Sequence, residues 1–283
     1  MKWQGGRRGG NIEDRRGMSP GAAVGGGGIG IILLALIGYF VFGMEPQQIA
    51  ELASQQQQGA GASQQAGVEG APADEAGQFV DVIGANINDV WQGSLQGYTP
   101  PRVVLYEEGT GTGCGYGQSA MGPFYCPADQ TVYLDLSFWQ DMETQLGASG
   151  AEFARAYVIA HEFGHHVQTL TGASQQVRQA QQQARSQEEA NQYSVALELQ
   201  ADCYAGFWAA NAARASGGAV ALEPGDLEEG LKTANAIGDD MIQKRMQGRV
   251  TPENFTHGTA EQRMTWLRRG YDSGDPNVCN TFY

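Results

Sequence analysis

The sequence predicts an α+β domain over residues 79–283, carried behind a membrane anchor and a tether. Three observations lead there. A helix-patterned stretch opens the domain, short β-branched and aromatic runs punctuated by Gly and Pro follow, and from Phe153 the apolar pattern is helical almost to the end.

Residues 1–21 read as a basic tail, with Lys2, Arg7, Arg8, Arg15 and Arg16 against Glu13 and Asp14. Residues 22–44 contain no charged side chain and centre on Ile29-Gly-Ile-Ile-Leu-Leu-Ala-Leu-Ile-Gly-Tyr-Phe-Val-Phe. At 1.5 Å per residue such a stretch is long enough for a hydrocarbon core of roughly 30 Å. Glu45-Pro46 follows Met44 without a small-x-small cleavage site, which favours an uncleaved transmembrane anchor over a signal peptide. Basic residues before the span predict a single-pass protein of the cytoplasmic membrane, N-terminus inside and the domain periplasmic or extracellular. Residues 45–78, rich in Gln, Ala and Gly, bury too little apolar surface to offset the entropy of ordering and read as a disordered tether.

Within the domain, Phe79, Ile83, Ile87 and Val90 mark one face of a helix that ends by Pro100-Pro101. Arg102–Tyr106 reads as a strand, residues 109–117 as a Gly-rich loop, and Pro123–Cys126 and Thr131–Asp135 as two strands joined by a turn. Helices are expected over 153–171, 175–185, 188–215, 224–245 and 260–270.

The chain of 283 residues has a formal net charge of −14. From Phe79 onward 24 acidic residues face 12 basic ones, which argues against a nucleic-acid partner, since phosphate binding needs a basic footprint. Cys114, Cys126, Cys203 and Cys279 form no CxxC, so a zinc ribbon or thioredoxin-type motif is not indicated. Outside the cytoplasm disulfides are expected. Cys114 and Cys126 flank the Gly-rich loop and could close it; Cys203 could be stapled to Cys279.

His161-Glu162-Phe163-Gly164-His165 is an HExxH motif within an apolar-periodic run. Residues four apart share a helix face, so His161 and His165 can aim at one ion. Glu162, about 100° round the axis, is displaced from that pair yet able to reach water on the metal. Two imidazoles plus a carboxylate suit Zn2+ with one position open. Gln168 and Thr171 stand where a metzincin would have Gly and His, so the third ligand should be a carboxylate from another helix. Glu198 fits. Asp202, four residues on, would accept the Nδ1–H of a liganding histidine. The competing reading leaves both acids on a solvated helix face, which the flanking Val195, Leu197, Leu199, Tyr204 and Phe207 make awkward.

Taken together, HEFGHHVQ (His161 to Gln168), ELQADCYAGFWA (Glu198 to Ala209), PFYCPADQTVYLD (Pro123 to Asp135) and HGTAEQR (His257 to Arg263) resemble the neutral zinc metallopeptidase family of bacterial membrane proteins. The resemblance spans nearly all of residues 79–283. It implies a zincin-like fold of the gluzincin kind, and Glu198 as third ligand in agreement with the spacing. It implies no particular substrate.

The expected chemistry is peptide hydrolysis: zinc lowers the pKa of coordinated water, Glu162 takes the proton, and a second electrophile helps hold the oxyanion. His257 is a candidate for that role; its competing reading is a turn residue ahead of a Thr259/Gln262 capping box. His166 reads as a support to the site or a structural residue. Thr131–Asp135 or Pro123–Cys126 would be a sheet edge able to pair with an extended substrate, unless it is an ordinary interior strand. An endopeptidase acting on proteins outside the cytoplasmic membrane is the favoured function. A catalytically silent zinc-binding envelope module and a structural membrane protein are the rivals.

Overall fold

Helical and β-patterned segments separate into two units in the structure, a computed structural model that describes residues 1–17 and 67–282. The apolar stretch 22–44 and residues 45–66 of the expected tether lie outside the described residues. Among the described residues no helix is long and apolar enough to cross a membrane. The first unit comprises Met1–Gly10, Ala71–Pro101 and Trp139–Tyr283; the second comprises Asn11–Gly70 and Arg102–Phe138.

In the first unit, α1 (Glu75–Gln92) starts at an Asp74 cap whose carboxylate accepts the Gly77 N–H at 2.9 Å. That cap sets the helix start four residues before Phe79, inside the stretch expected to be tether. After α2 (Phe138–Thr144), which leads into this unit, come α3 (Glu152–Leu170), α4 (Ala173–Gln183) and α5 (Gln187–Ala215), then α6 (Asp226–Ala236), α7 (Asp239–Gln247) and α8 (Ala260–Ser273). The long α5 is central and packs against α1, α3, α4 and α8. Trp208 stacks on Phe153, and Trp91 meets Tyr204 edge-on, all of them buried. Helices α5 and α8 cross with backbones in close approach: a Cβ at Gly206 would fall on the Leu267 carbonyl oxygen, and one at Gly270 on that of Cys203. The Cys203–Cys279 disulfide ties the C-terminal segment to α5. Thr259 and Gln262 form the predicted capping box of α8.

The second unit is a mixed five-stranded sheet in the order β2-β1-β3-β7-β6, with β1 (Ile12–Asp14), β2 (Val68–Glu69), β3 (Arg102–Tyr106), β6 (Phe124–Cys126) and β7 (Thr131–Asp135). β1 and β7 run parallel to β3, with Ile12 opposite Val103 and Val103 opposite Val132. β6 pairs antiparallel to β7. A separate hairpin joins β4 (Gly109–Thr112) to β5 (Gly115–Gln118). The Cys114–Cys126 disulfide anchors that hairpin to the sheet's apolar cluster of Val104, Tyr106 and Tyr133.

Several expectations need correction. The first 17 residues are not a separate tail. In the first unit Trp3 is 4% exposed and donates its indole N–H to Glu152 at 2.7 Å; in the second, β1 lies inside the sheet. Three residues pairing with a strand some ninety positions away leave no periodic signal. The Gly-rich stretch 109–117 is a hairpin rather than a loop. The helix expected over 224–245 breaks at Gly238, where a Cβ would strike the backbone of Ala260. Thr131–Asp135 is interior, flanked by β3 and β6, so it cannot offer a free edge; Phe124–Cys126 is the edge strand.

Candidate metal centre

Within the first unit, α3 presents His161 and His165 one turn apart, their rings perpendicular with centroids 4.7 Å apart. Facing them, α5 brings Glu198, whose Oε2 lies 3.1 Å from His161 Nε2 and whose Oε1 lies 3.4 Å from His165 Nε2. One ligand atom from each of the three lies within 4.8 Å of the others. Gly164, between the two histidines, permits this approach of α3 to α5: a Cβ there would sit 3.1 Å from the Ala201 Cα. The donor set fits a metal. Both histidines engage acceptors through Nδ1, which leaves the Nε2 atoms to converge on one point beside a carboxylate.

Different groups hold the two rings. His161 donates from Nδ1 to Asp202 Oδ1 at 2.8 Å. Asp202, fully buried, also accepts the Tyr157 hydroxyl at 2.6 Å and two Arg263 N–H groups at 2.9 and 3.0 Å. Arg263 reaches the Ile237 carbonyl as well, so α8 and the end of α6 both help place it. Burial alone would push the Asp202 carboxyl up, but Arg263 and His161 outweigh that and hold it down at about 2. Burial disfavours a charged His161, yet Asp202 and Glu198 outweigh that and raise its pKa to about 10. His165 instead donates from Nδ1 to Gln168 Oε1 at 2.9 Å. Gln168 donates in turn to the Leu197 carbonyl and to Gln200 Oε1, and Gln200 donates to the Cys279 carbonyl at 3.0 Å.

Glu162 is 7% exposed, and no side chain among the described residues donates a hydrogen bond to it. Burial raises its pKa, with His165 and His161 opposing. His257 sits just ahead of the α8 cap. Its Nδ1 lies 3.2 Å from Asp239 Oδ1, while Asp239 Oδ2 accepts the backbone N–H groups of Thr256, His257 and Gly258. The loop rests on α5 beside Glu198: a Cβ at Gly258 would lie 3.2 Å from Val195 and 3.3 Å from Leu199. The protein packed around His257 pulls its pKa down although its side chain stays half-exposed, and Asp239 together with the field of Glu198 outweighs this, raising it to about 8. His166 turns away from the cluster and donates from Nε2 to the Thr99 carbonyl at 2.6 Å, burial keeping it neutral.

The structure brings His161, His165, Glu198 and Asp202 together, with Glu162 next to His161 on α3 and His257 outside the cluster of His161, His165 and Glu198. Tyr157, Gln168, Asp239 and Arg263 emerged only from the fold. Tyr157 precedes His161 by one turn on the same face, and Arg263 closes the HGTAEQR segment among the buried positions Ala260, Leu267 and Gly270.

The profile of the family described as "Putative neutral zinc metallopeptidase" matches residues 1–282. The chain belongs to this family. The Escherichia coli (strain K12) protein named "Uncharacterized protein YpfJ" is 48% identical over 296 aligned residues, covering 100% of this chain and 99% of its own. "Uncharacterized protein Rv2575" of Mycobacterium tuberculosis (strain ATCC 25618 / H37Rv) is 45% identical over 218 residues, covering 74% of this chain and 72% of its own. No solved structure matches. For a member of this family, the His161, His165 and Glu198 cluster is where a metal could be held.

Proposed function

We propose that this chain is a zinc-dependent endopeptidase, with His161, His165 and Glu198 holding the metal and Glu162 as general base. The observation that carries the reading is the division of labour on α3. Both imidazoles are tied back through Nδ1 so that their Nε2 atoms meet beside Glu198, while no side chain among the described residues donates to the neighbouring Glu162 carboxylate. Zinc bound there would supply a Lewis acid and a water acidified toward neutrality.

The chain's own groups would do the rest. Glu162 takes a proton from the attacking water as its oxygen bonds to the scissile carbonyl carbon, then delivers it to the leaving amine as the C–N bond breaks. Its raised pKa suits a group that must both accept and return a proton. His257, fixed through Nδ1 by Asp239, offers its Nε2 side to the oxyanion. Arg263 and Asp202 hold the His161 ring in place. Two disulfides favour a compartment outside the cytoplasm, and hence protein or peptide substrates there.

The test is metal content and hydrolysis of unfolded protein substrates by the wild-type chain, Glu162→Gln and His161→Ala. Glu162→Gln should keep the metal and lose about 10²–10⁴-fold in rate; His161→Ala should lose the metal. A Glu162→Gln variant with wild-type turnover would overturn the hydrolase mechanism. Metal without turnover in the wild type would favour the silent binding module.

A further inference from the structure

The arginines before the apolar stretch predicted an N-terminus held in the cytoplasm, on the premise that they are free cationic charges next to a span. In the folded chain they are paired. Arg7 meets Asp89 and Arg8 meets Asp81, each at 2.6 Å. Arg15 meets Glu13 at 2.7 Å, and Arg16 meets Asp14 at 2.6 Å. Glu13 is itself buried and takes a further ion pair from Arg102 at 2.6 Å.

The residues bearing these arginines are built into both units. In the first, Lys2 exchanges backbone hydrogen bonds with Ala221, Trp3 packs edge-on against Phe79, and Asp81 accepts the N–H groups of Gly9 and Gly10. In the second, β1 is interior: β2 reaches the sheet only through it, and β3 pairs with it along the side opposite β7. The chain leaves this sheet after Gly17 and is back beside it at Gly67, whose N–H donates to Glu13 at 2.8 Å. Every other described piece of both units comes from residues 67 onward, where no described helix is long and apolar enough to cross a membrane.

We propose that residues 1–17 share one compartment with the metal-binding unit, so that the apolar stretch 22–44 does not carry the folded chain once across a bilayer. A hydrocarbon core of roughly 30 Å cannot lie between strands that exchange hydrogen bonds. Any contact the stretch makes with a membrane is therefore made from that one side. The inference does not depend on hydrolytic activity.

The test is cysteine accessibility in intact cells, using the full chain. All four native cysteines lie in disulfides, so an added one supplies the free thiol. Gly5→Cys places it at an exposed position whose Cβ meets nothing within 4 Å, and Gln4→Cys is a second exposed choice in case the first misfolds. Arg268→Cys, exposed on α8, reports the metal-binding unit. A membrane-impermeant maleimide is applied before and after lysis. The two regions should give the same ratio of labelling before to after lysis, within about twofold. Labelling of one region in intact cells, with the other reactive only after lysis, would overturn the proposal; protection of both, or labelling of both, supports it.

Discussion

Behind His161 stands a buried ion pair; behind His165, one turn along the same helix, stands a run of neutral amides. Asp202 accepts from the first imidazole and is itself held by the Arg263 guanidinium and the Tyr157 hydroxyl, whereas Gln168 and Gln200 pass the second from side chain to side chain until it reaches a main-chain carbonyl. Each arrangement fixes a tautomer, but the energetic stakes differ. A buried charge deprived of its partner is far more costly than an amide deprived of one bond. The difference teaches that two equivalent-looking histidines in one motif need not be equally robust.

The largest break should come from Arg263→Met, which strands Asp202 without its counter-ion. Stability should fall by about 3–5 kcal/mol, read from denaturant unfolding of the metal-free protein. A loss below about 1 kcal/mol would mean that solvent already screens the pair. Next, the acid limb of stability should draw on the His161 side through Asp202, alongside Glu198, whose carboxyl burial pushes up but His165 and His161 hold well below its usual range. The Asp202 carboxyl is depressed from 3.8 to about 2, so its stabilisation is present in full above about pH 4 and disappears as pH falls through about 2. It is worth on the order of 2 kcal/mol. Asp202→Asn should flatten that limb; an unchanged acid transition would place the responsible carboxylate elsewhere. The smallest effect sharpens the contrast. Gln168→Leu should weaken metal binding about tenfold, at the lower end of what outer partners of a ligand contribute, and Asp202→Asn should approach about a hundredfold. Chelator competition measures both, and equal losses would erase the distinction.

How much could be read beforehand followed the range of the contacts. His161, Glu162 and His165 are fixed by a single helical turn, and Glu198 with Asp202 by another, so local periodicity was enough to propose them. Arg263 was not assigned a role because its meeting with Asp202 is made by a crossing of helices 61 positions apart in sequence. The only hint was a charged residue among the buried positions of α8. Asp239 was hidden in the same way, inside a stretch expected to be one continuous helix until Gly238 interrupts it. β1 escaped altogether, because its partners are distant and the arginines on either side of it looked like a topological signal. The sheet's order likewise decided between two candidate edges that composition could not separate.

The crossing of α5 and α8 leaves no room for even a methyl group at Gly206 or Gly270. Arg263 stands seven residues before Gly270, about two turns along the same rigid rod. A side chain added at Gly270 would therefore prise the rod outward and withdraw the guanidinium from Asp202. Damage to the metal centre can thus originate at a residue that touches none of its ligands, transmitted by the spacing of two backbones.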